Sequence, residues 1–274
     1  MVLTRIGRTK VAVVDCPGFN DTRRSDSEIL EEIAGVLSTQ YLLEKKFQLR
    51  GILWLRDITK TRMDGSDVRT LYLFSQLVGR AAFKHVAFVS TMWNRVDVQL
   101  DPFVYEREAQ LKNGFWGDMI SGGSYPQRFL GTKASAQGIL SQLVGGVEPV
   151  VLQIQQELVD DEMPLSATAA GSVLALGIDE DIEVRELLVR ESRARLATSS
   201  NTTTQRRLQM DIQKAERERD RAEEEKEKLG EKVGPKIKDK FKEALTVRNV
   251  CSVLGLSVQI VGAVLPAAGA CTVM

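Results

Sequence analysis

Apolar positions along this chain fall into three regimes. Over roughly the first 160 residues, short apolar runs alternate with stretches of helical period. Val11–Val14, Gly51–Leu55 and Val86–Val89 are continuous and rich in branched side chains, the pattern of strands buried on both faces. Between them, Ser25-Asp26-Ser27-Glu28 predicts a capping box. The helix it opens carries Ile29, Ile33, Val36 and Leu37 on one face. A second helix is predicted after Gly65-Ser66-Asp67, with Leu71, Phe74, Leu77 and Val78 as its apolar stripe. A polar helix with Glu106, Glu108 and Leu111 leads to Phe115, Trp116 and Met119, aromatic and apolar residues expected in a core. Gln127–Thr132 predicts a last strand and its loop. A helix from Ala134 to about Asp160, broken near Pro149, completes an α/β domain with a mostly parallel sheet between helical layers.

The second regime runs from Asp179 to Leu229 and is dominated by Glu, Arg, Lys, Asp and Gln. Leu208, Ile212, Ala215, Arg219, Ala222, Lys226 and Leu229 make a poor heptad seam. A solvated helix with i,i+4 charge pairs is preferred over a coiled-coil stalk, with a break at Ser199–Thr204. The third regime follows Gly234-Pro235. Lys236, Lys238, Lys240, Lys242 and Arg248 precede an uncharged stretch from Asn249 to Met274. About 20 apolar residues suffice to cross a bilayer; Gln259, Pro266 and several glycines make this a marginal span. A packed tail helix or a dimer contact is the alternative. Cys271-Thr272-Val273-Met274 fits a farnesylation signal, and a basic run, an apolar stretch and a lipid together would anchor a protein to a membrane. The expected division is an α/β domain at 1–160, a linker at 161–178, a charged helical segment at 179–229 and a tail at 230–274.

Composition narrows the function classes. The 274 residues carry a formal net charge of zero, which removes the global electrostatic case for nucleic acid. Cys16, Cys251 and Cys271 lie far apart, without metal-ligand spacing, and read as reduced thiols of a cytoplasmic protein. The single histidine, His85, precedes a strand and is expected to be structural.

The chemistry concentrates at strand ends. Val11–Val14 runs into Asp15-Cys16-Pro17-Gly18. An acidic residue at the carboxyl end of a strand sits where open α/β sheets bind ligands, and there it can hold Mg²⁺ directly or through water. Gly18 allows close approach of its N–H to a phosphate. Gly51–Arg56 is followed by Asp57-Ile58-Thr59 and then Arg62-Met63-Asp64-Gly65-Ser66. A further strand ends in Ser90-Thr91-Met92-Trp93-Asn94.

In order and spacing these segments resemble fungal G-domain proteins related to the GTPases of immunity-associated proteins, in the septin and chloroplast-import-receptor branch of P-loop GTPases. The resemblance spans roughly residues 1–160. It implies a partial P-loop GTPase-like fold, GTP/GDP with Mg²⁺, slow hydrolysis, a homodimer through the G domain and a membrane-associated helical tail. By the same resemblance, Asp15 would hold Mg²⁺, the Gly18 N–H would meet the γ-phosphate, and Thr91 and Asn94 would face the base. No catalytic residue is implied; the region of Phe19–Thr22, where relatives position water, offers no suitable group.

The chain departs from that pattern twice. No G-x-x-x-x-G-K-[ST] occurs; the nearest stretch, Gly131-Thr132-Lys133-Ala134, has the wrong spacing. Asn94 stands where a base-reading Asp is expected, and an amide lacks the charged bidentate acceptor. The first strand, phosphate loop, first helix and switch I of such a domain would all lie before residue 1. A sheet lacking its interior first strand leaves two unpaired edges. It must close differently, take a strand from a partner, or belong to a longer product, the last being the expectation. The function expected is a guanine-nucleotide-binding protein impaired in nucleotide binding, the alternative a nucleotide-free pseudo-GTPase scaffold.

Overall fold

A computed structural model describes residues 2–19, 24–42, 48–97, 99, 101–145 and 148–230, and the backbone of 259–266. The chain opens with an antiparallel hairpin, β1 (Val2–Ile6) and β2 (Thr9–Asp15), turning at Gly7 with φ +58°. Helix α1 (Asp26–Leu42) follows, with the Ser25 hydroxyl accepting the Glu28 N–H at 3.2 Å. Next come β3 (Ile52–Asp57), α2 (Gly65–Val78), β4 (Val86–Thr91), α3 (Val104–Gln110), α4 (Gly117–Ser121) and β5 (Tyr125–Arg128). Helix α5 (Lys133–Gly145) and the short α6 (Gln153–Gln155), extended by a wide turn to Asp160, complete the domain.

The alternation of side chains along β3 and β4 builds two unequal cores. Ile52, Trp54, Val86 and Phe88 belong to the main core with Ile29, Ile33, Phe74 and Leu77 from α1 and α2. Leu53, Ala87 and Val89 point to the other face, covered by Ile139 and Leu143 of α5. The sheet therefore lies between two helical layers, as the alternating pattern predicts. Trp116 and Met119 are buried as expected, Trp116 stacking on Phe88 at 4.8 Å; Phe115 is 41% exposed.

Sheet order is β1-β2-β6-β3-β4-β5, where β6 is Gln259–Pro266. Apart from the hairpin, all neighbours are parallel. The interior gap expected beside β2 is thus filled by residues from the far end of the chain. Eight residues of the uncharged stretch form this strand, which corrects the reading of that part as a membrane span or packed tail helix. Among the described residues no helix is long and apolar enough to cross a membrane. Lys236–Lys242, Arg248 and the Cys271 lipidation signal lie outside the described residues.

Two boundaries also shift. The last strand starts two residues earlier than predicted, at Tyr125, with Pro126 tolerated because β5 is an edge. The expected helix to Asp160 stops at Gly145, and Val150 N–H then bonds the Leu49 carbonyl at 2.9 Å.

The expected linker at 161–178 is largely helical. Helix α7 (Ala169–Thr198) begins inside it, its N-terminus capped by Thr168, and buries Ala170, Leu174 and Ile178 in the main core. Helix α8 (Thr202–Leu229) folds back along α7 after the predicted break, with the Asn201 side chain accepting from Thr203 N–H and Thr204 N–H. Val189, Ile212 and Ala215 form a small seam between them. Ion pairs Asp179–Lys226 (2.5 Å), Arg185–Glu218 (3.0 Å) and Arg193–Glu216 (2.6 Å) cross the hairpin. The charged segment is therefore an intramolecular helical hairpin, and its end returns to the domain. Leu229 is buried, and both the Ser27 N–H and hydroxyl donate to Glu225 at the start of α1, where a helix N-terminus favours an anion.

Candidate functional site

Because β2, β3, β4 and β5 run in the same direction, their carboxyl ends share one edge of the sheet. Asp15, Asp57, Thr91 and Arg128 are the last residues of those strands. This is the edge at which open α/β sheets bind ligands. Three inter-strand steps separate β2 from β4, and the register sets Asp15 level with Leu53 and Ala87, four residues short of Thr91, so Asp15 and Thr91 lie about 20 Å apart.

Asp15 is exposed at the end of β2, and the next residue, Cys16, turns inward and is buried. Burial first, and then the Asp15 charge, push the Cys16 thiol up to about 12, so it stays protonated and is no nucleophile. Phe19, 1% exposed, anchors the loop in the main core. Gly18 is partly exposed between them; Asn20–Arg23 lie outside the described residues.

The loop after β3 is held rigidly. Arg56, buried within β3, donates to Asp67 Oδ2 at 2.7 Å and to the Arg62 carbonyl at 2.6 Å. Asp57 Oδ1 accepts from the N–H and hydroxyl of Thr59. Arg107 donates to the Ile58 carbonyl at 3.1 Å while paired with Asp101. At the start of α2, Asp64 and Asp67 cap each other reciprocally.

The β4 end carries the most structure. Met92 takes a left-handed conformation, φ 63°, so the chain turns sharply and leaves Asn94 exposed. The Thr91 hydroxyl is buried and donates to the Arg56 carbonyl at 3.3 Å, so it is committed to joining β3 and β4. Asn94 lies against the loop after β5: a Cβ at Gly131, φ +74°, would sit 3.6–3.8 Å from the Asn94 amide atoms. The strand end at Thr91–Asn94 and the loop predicted after the last strand therefore meet.

Sequence reasoning missed the cluster beside them. The Arg128 guanidinium lies 4.3 Å over Trp93 and 5.5 Å from Tyr105. It also donates twice to Glu108, which is buried and paired with Lys112 at 3.0 Å. Burial pushes the Glu108 carboxyl up, but hydrogen bonds from Arg128 and Lys112 outweigh it, and its pKa is lowered. Trp93 Nε1 donates to the Ser90 hydroxyl at 2.9 Å. The Glu108–Lys112 spacing was legible; the arrival of Arg128 from β5 was not.

His85 is buried, with Nδ1 3.3 Å from the Arg50 carbonyl, and burial lowers its pKa. It is structural, as predicted.

The residues present fit only part of GTP with Mg²⁺. Asp15 is free to approach a cation through water, yet among the described residues no three His, Cys, Asp or Glu side chains converge as a metal site. The Gly131–Ala134 stretch offers no phosphate cradle: the Thr132 hydroxyl accepts from Ser135 N–H, and Ser135 Oγ accepts from Leu130 N–H. No protein-family model and no curated protein matches the chain.

Proposed function

We propose that this chain is a G-domain-like protein that works as a nucleotide-independent interaction module. The observation that carries this reading is the occupancy of the sheet beside Asp15. In a phosphate-binding α/β domain, the interior strand at that place leads into the loop that cradles phosphate. Here the slot is filled by β6, paired with Asp15 at Val264, and no glycine-lysine loop of the required spacing stands anywhere in the sequence. The commitment of the Thr91 hydroxyl to Arg56 and the neutral amide at Asn94 support the same reading.

The approach of Asn94 to Gly131 favours a second reading, a guanine-nucleotide-binding protein with a weakened site. Titration calorimetry of the full chain with GTP and Mg²⁺ separates the two. The proposal expects no saturable heat at millimolar nucleotide. A dissociation constant in the low micromolar range, about −8 kcal/mol, would overturn it and favour nucleotide binding.

A further inference from the structure

Helix α7 is apolar on two opposite sides. Leu174, Ile178, Ile182 and Val189 face the main core and α8. Leu176, Val184, Leu187 and Leu188 are 41–66% exposed. At about 100° per residue, Leu176, Glu180, Glu183, Val184, Leu187 and Arg190 lie together on the side turned away from that seam. A surface helix ordinarily carries one apolar stripe, and α8 does so, burying Ile212, Ala215 and Leu229. A second stripe left in solvent marks a contact surface.

Charge changes sign along the same helix. Asp179, Glu180, Asp181, Glu183 and Glu186 precede Leu187, while Arg190, Arg193 and Arg195 follow it. Asp179 and Arg193 pair with Lys226 and Glu216 of α8. Among the described residues, Glu183 and Arg190 enter no ion pair, and both are exposed. Acidic residues inside the stripe oppose an anionic lipid surface. The order acidic, apolar, basic instead suits a helix that reads basic, apolar, acidic when laid antiparallel. α7 reversed has that order. The midpoint of Glu183 and Arg190 falls beside Leu187, so a two-fold antiparallel crossing there sets Glu183 of each chain level with Arg190 of the other. The same crossing opposes the two helix dipoles.

We propose that the outer side of α7 is a self-association surface, on which a second copy of this chain packs antiparallel about Leu187, flanked by two Glu183–Arg190 pairs. An isologous contact of this kind closes at two chains. From Leu176 to Ala194 the face is about 28 Å long and 10 Å wide, less than the roughly 800 Å² per partner of a standard stable interface. The dimer is therefore weak, with a dissociation constant of about 10 μM. This surface lies on the helical hairpin, and the inference does not rest on how the strand-end edge treats nucleotide.

Sedimentation velocity on the full chain, from about 1 to 200 μM, should show monomer giving way to dimer. Glu183→Arg and Arg190→Glu change exposed positions and should leave the thermal melt unmoved. Each should weaken the dimer about tenfold, because two like-charge pairs then replace two opposite-charge pairs. An equimolar mixture of the two variants restores opposite charges on both flanks and should regain the wild-type affinity as a heterodimer. A chain carrying both substitutions should regain it as a homodimer. Leu187→Glu should stay monomeric throughout. A wild-type chain that is monomeric across the range would overturn the proposal. So would a dimer that survives Leu187→Glu, that ignores the single reversals, or that neither the mixture nor the double variant restores.

Discussion

Replacing Asp67 by Asn should destabilise the domain by several kcal/mol, although the two side chains are nearly the same size. Arg56 and Asp67 have side-chain exposures of only 2% and 6%. The guanidinium gives one bond to Asp67 and another to the Arg62 carbonyl, so its charge is compensated almost wholly by this carboxylate. Removing one partner of a buried pair costs about 3–5 kcal/mol, because the other charge stays in low dielectric. Asn retains an oxygen for Arg56 and for the Asp64 N–H, which puts the expected loss near the lower end, about 3 kcal/mol. With an m-value of about 3 kcal/mol per molar, the urea midpoint falls by about 1 M. Trp54, 1% exposed and two residues from Arg56, reports unfolding by fluorescence. The double variant Arg56→Met/Asp67→Asn removes the stranded charge and should recover at least half of the loss. A midpoint shift under about 0.3 M for Asp67→Asn, or a double variant no more stable than the single one, would refute the reasoning.

Acid should act through Glu108. Its pKa is lowered in the fold, so its stabilising contribution is present above the unfolded value of about 4.3 and is lost as pH falls below that. Glu108→Gln should flatten the stability profile below about pH 4.3, measured by thermal melts across pH; an unchanged acid limb would count against the pairing with Arg128. Two glycines should respond with opposite sign. At Gly171 a Cβ would collide with the Leu165 carbonyl oxygen, so Gly171→Ala should lose about 1–3 kcal/mol. At Gly138, in α5 with open space around it, the same change should gain up to about 1 kcal/mol. Paired denaturation curves test both, and equal signs would contradict the packing at α7.

Much of the fold was legible where local pattern and tertiary role agree. The runs ending at Asp15, Asp57 and Thr91 became strands because their apolar residues face cores on both sides. The hairpin strand β1 was overlooked although Gly7 supplied its turn, since Val2 and Leu3 remain exposed and give no buried periodicity. The charged segment was seen as helical, but not as folding back, because its seam is only Val189, Ile212 and Ala215. The tail misled most. Val258, Ile260, Val261 and Val264 suit a strand as well as a membrane segment, and only the vacancy between β2 and β3 decides between them. At the site, Asp15 and Asn94 could be found from motif order. The stacking of Arg128 on Trp93 could not, because it joins two strands through a turn whose shape depends on Met92.

The place of β6 also sets a timetable. Residue 12 pairs with residue 260, so the centre of the sheet cannot be completed while the ribosome is still making the helical hairpin. During that interval the open edges of β2 and β3 face solvent as unpaired strands, the condition under which nascent chains aggregate or recruit chaperones. Contacts this distant in sequence also slow folding after release. The rate of synthesis through α7 and α8 therefore governs how long each new molecule remains vulnerable before its sheet is closed.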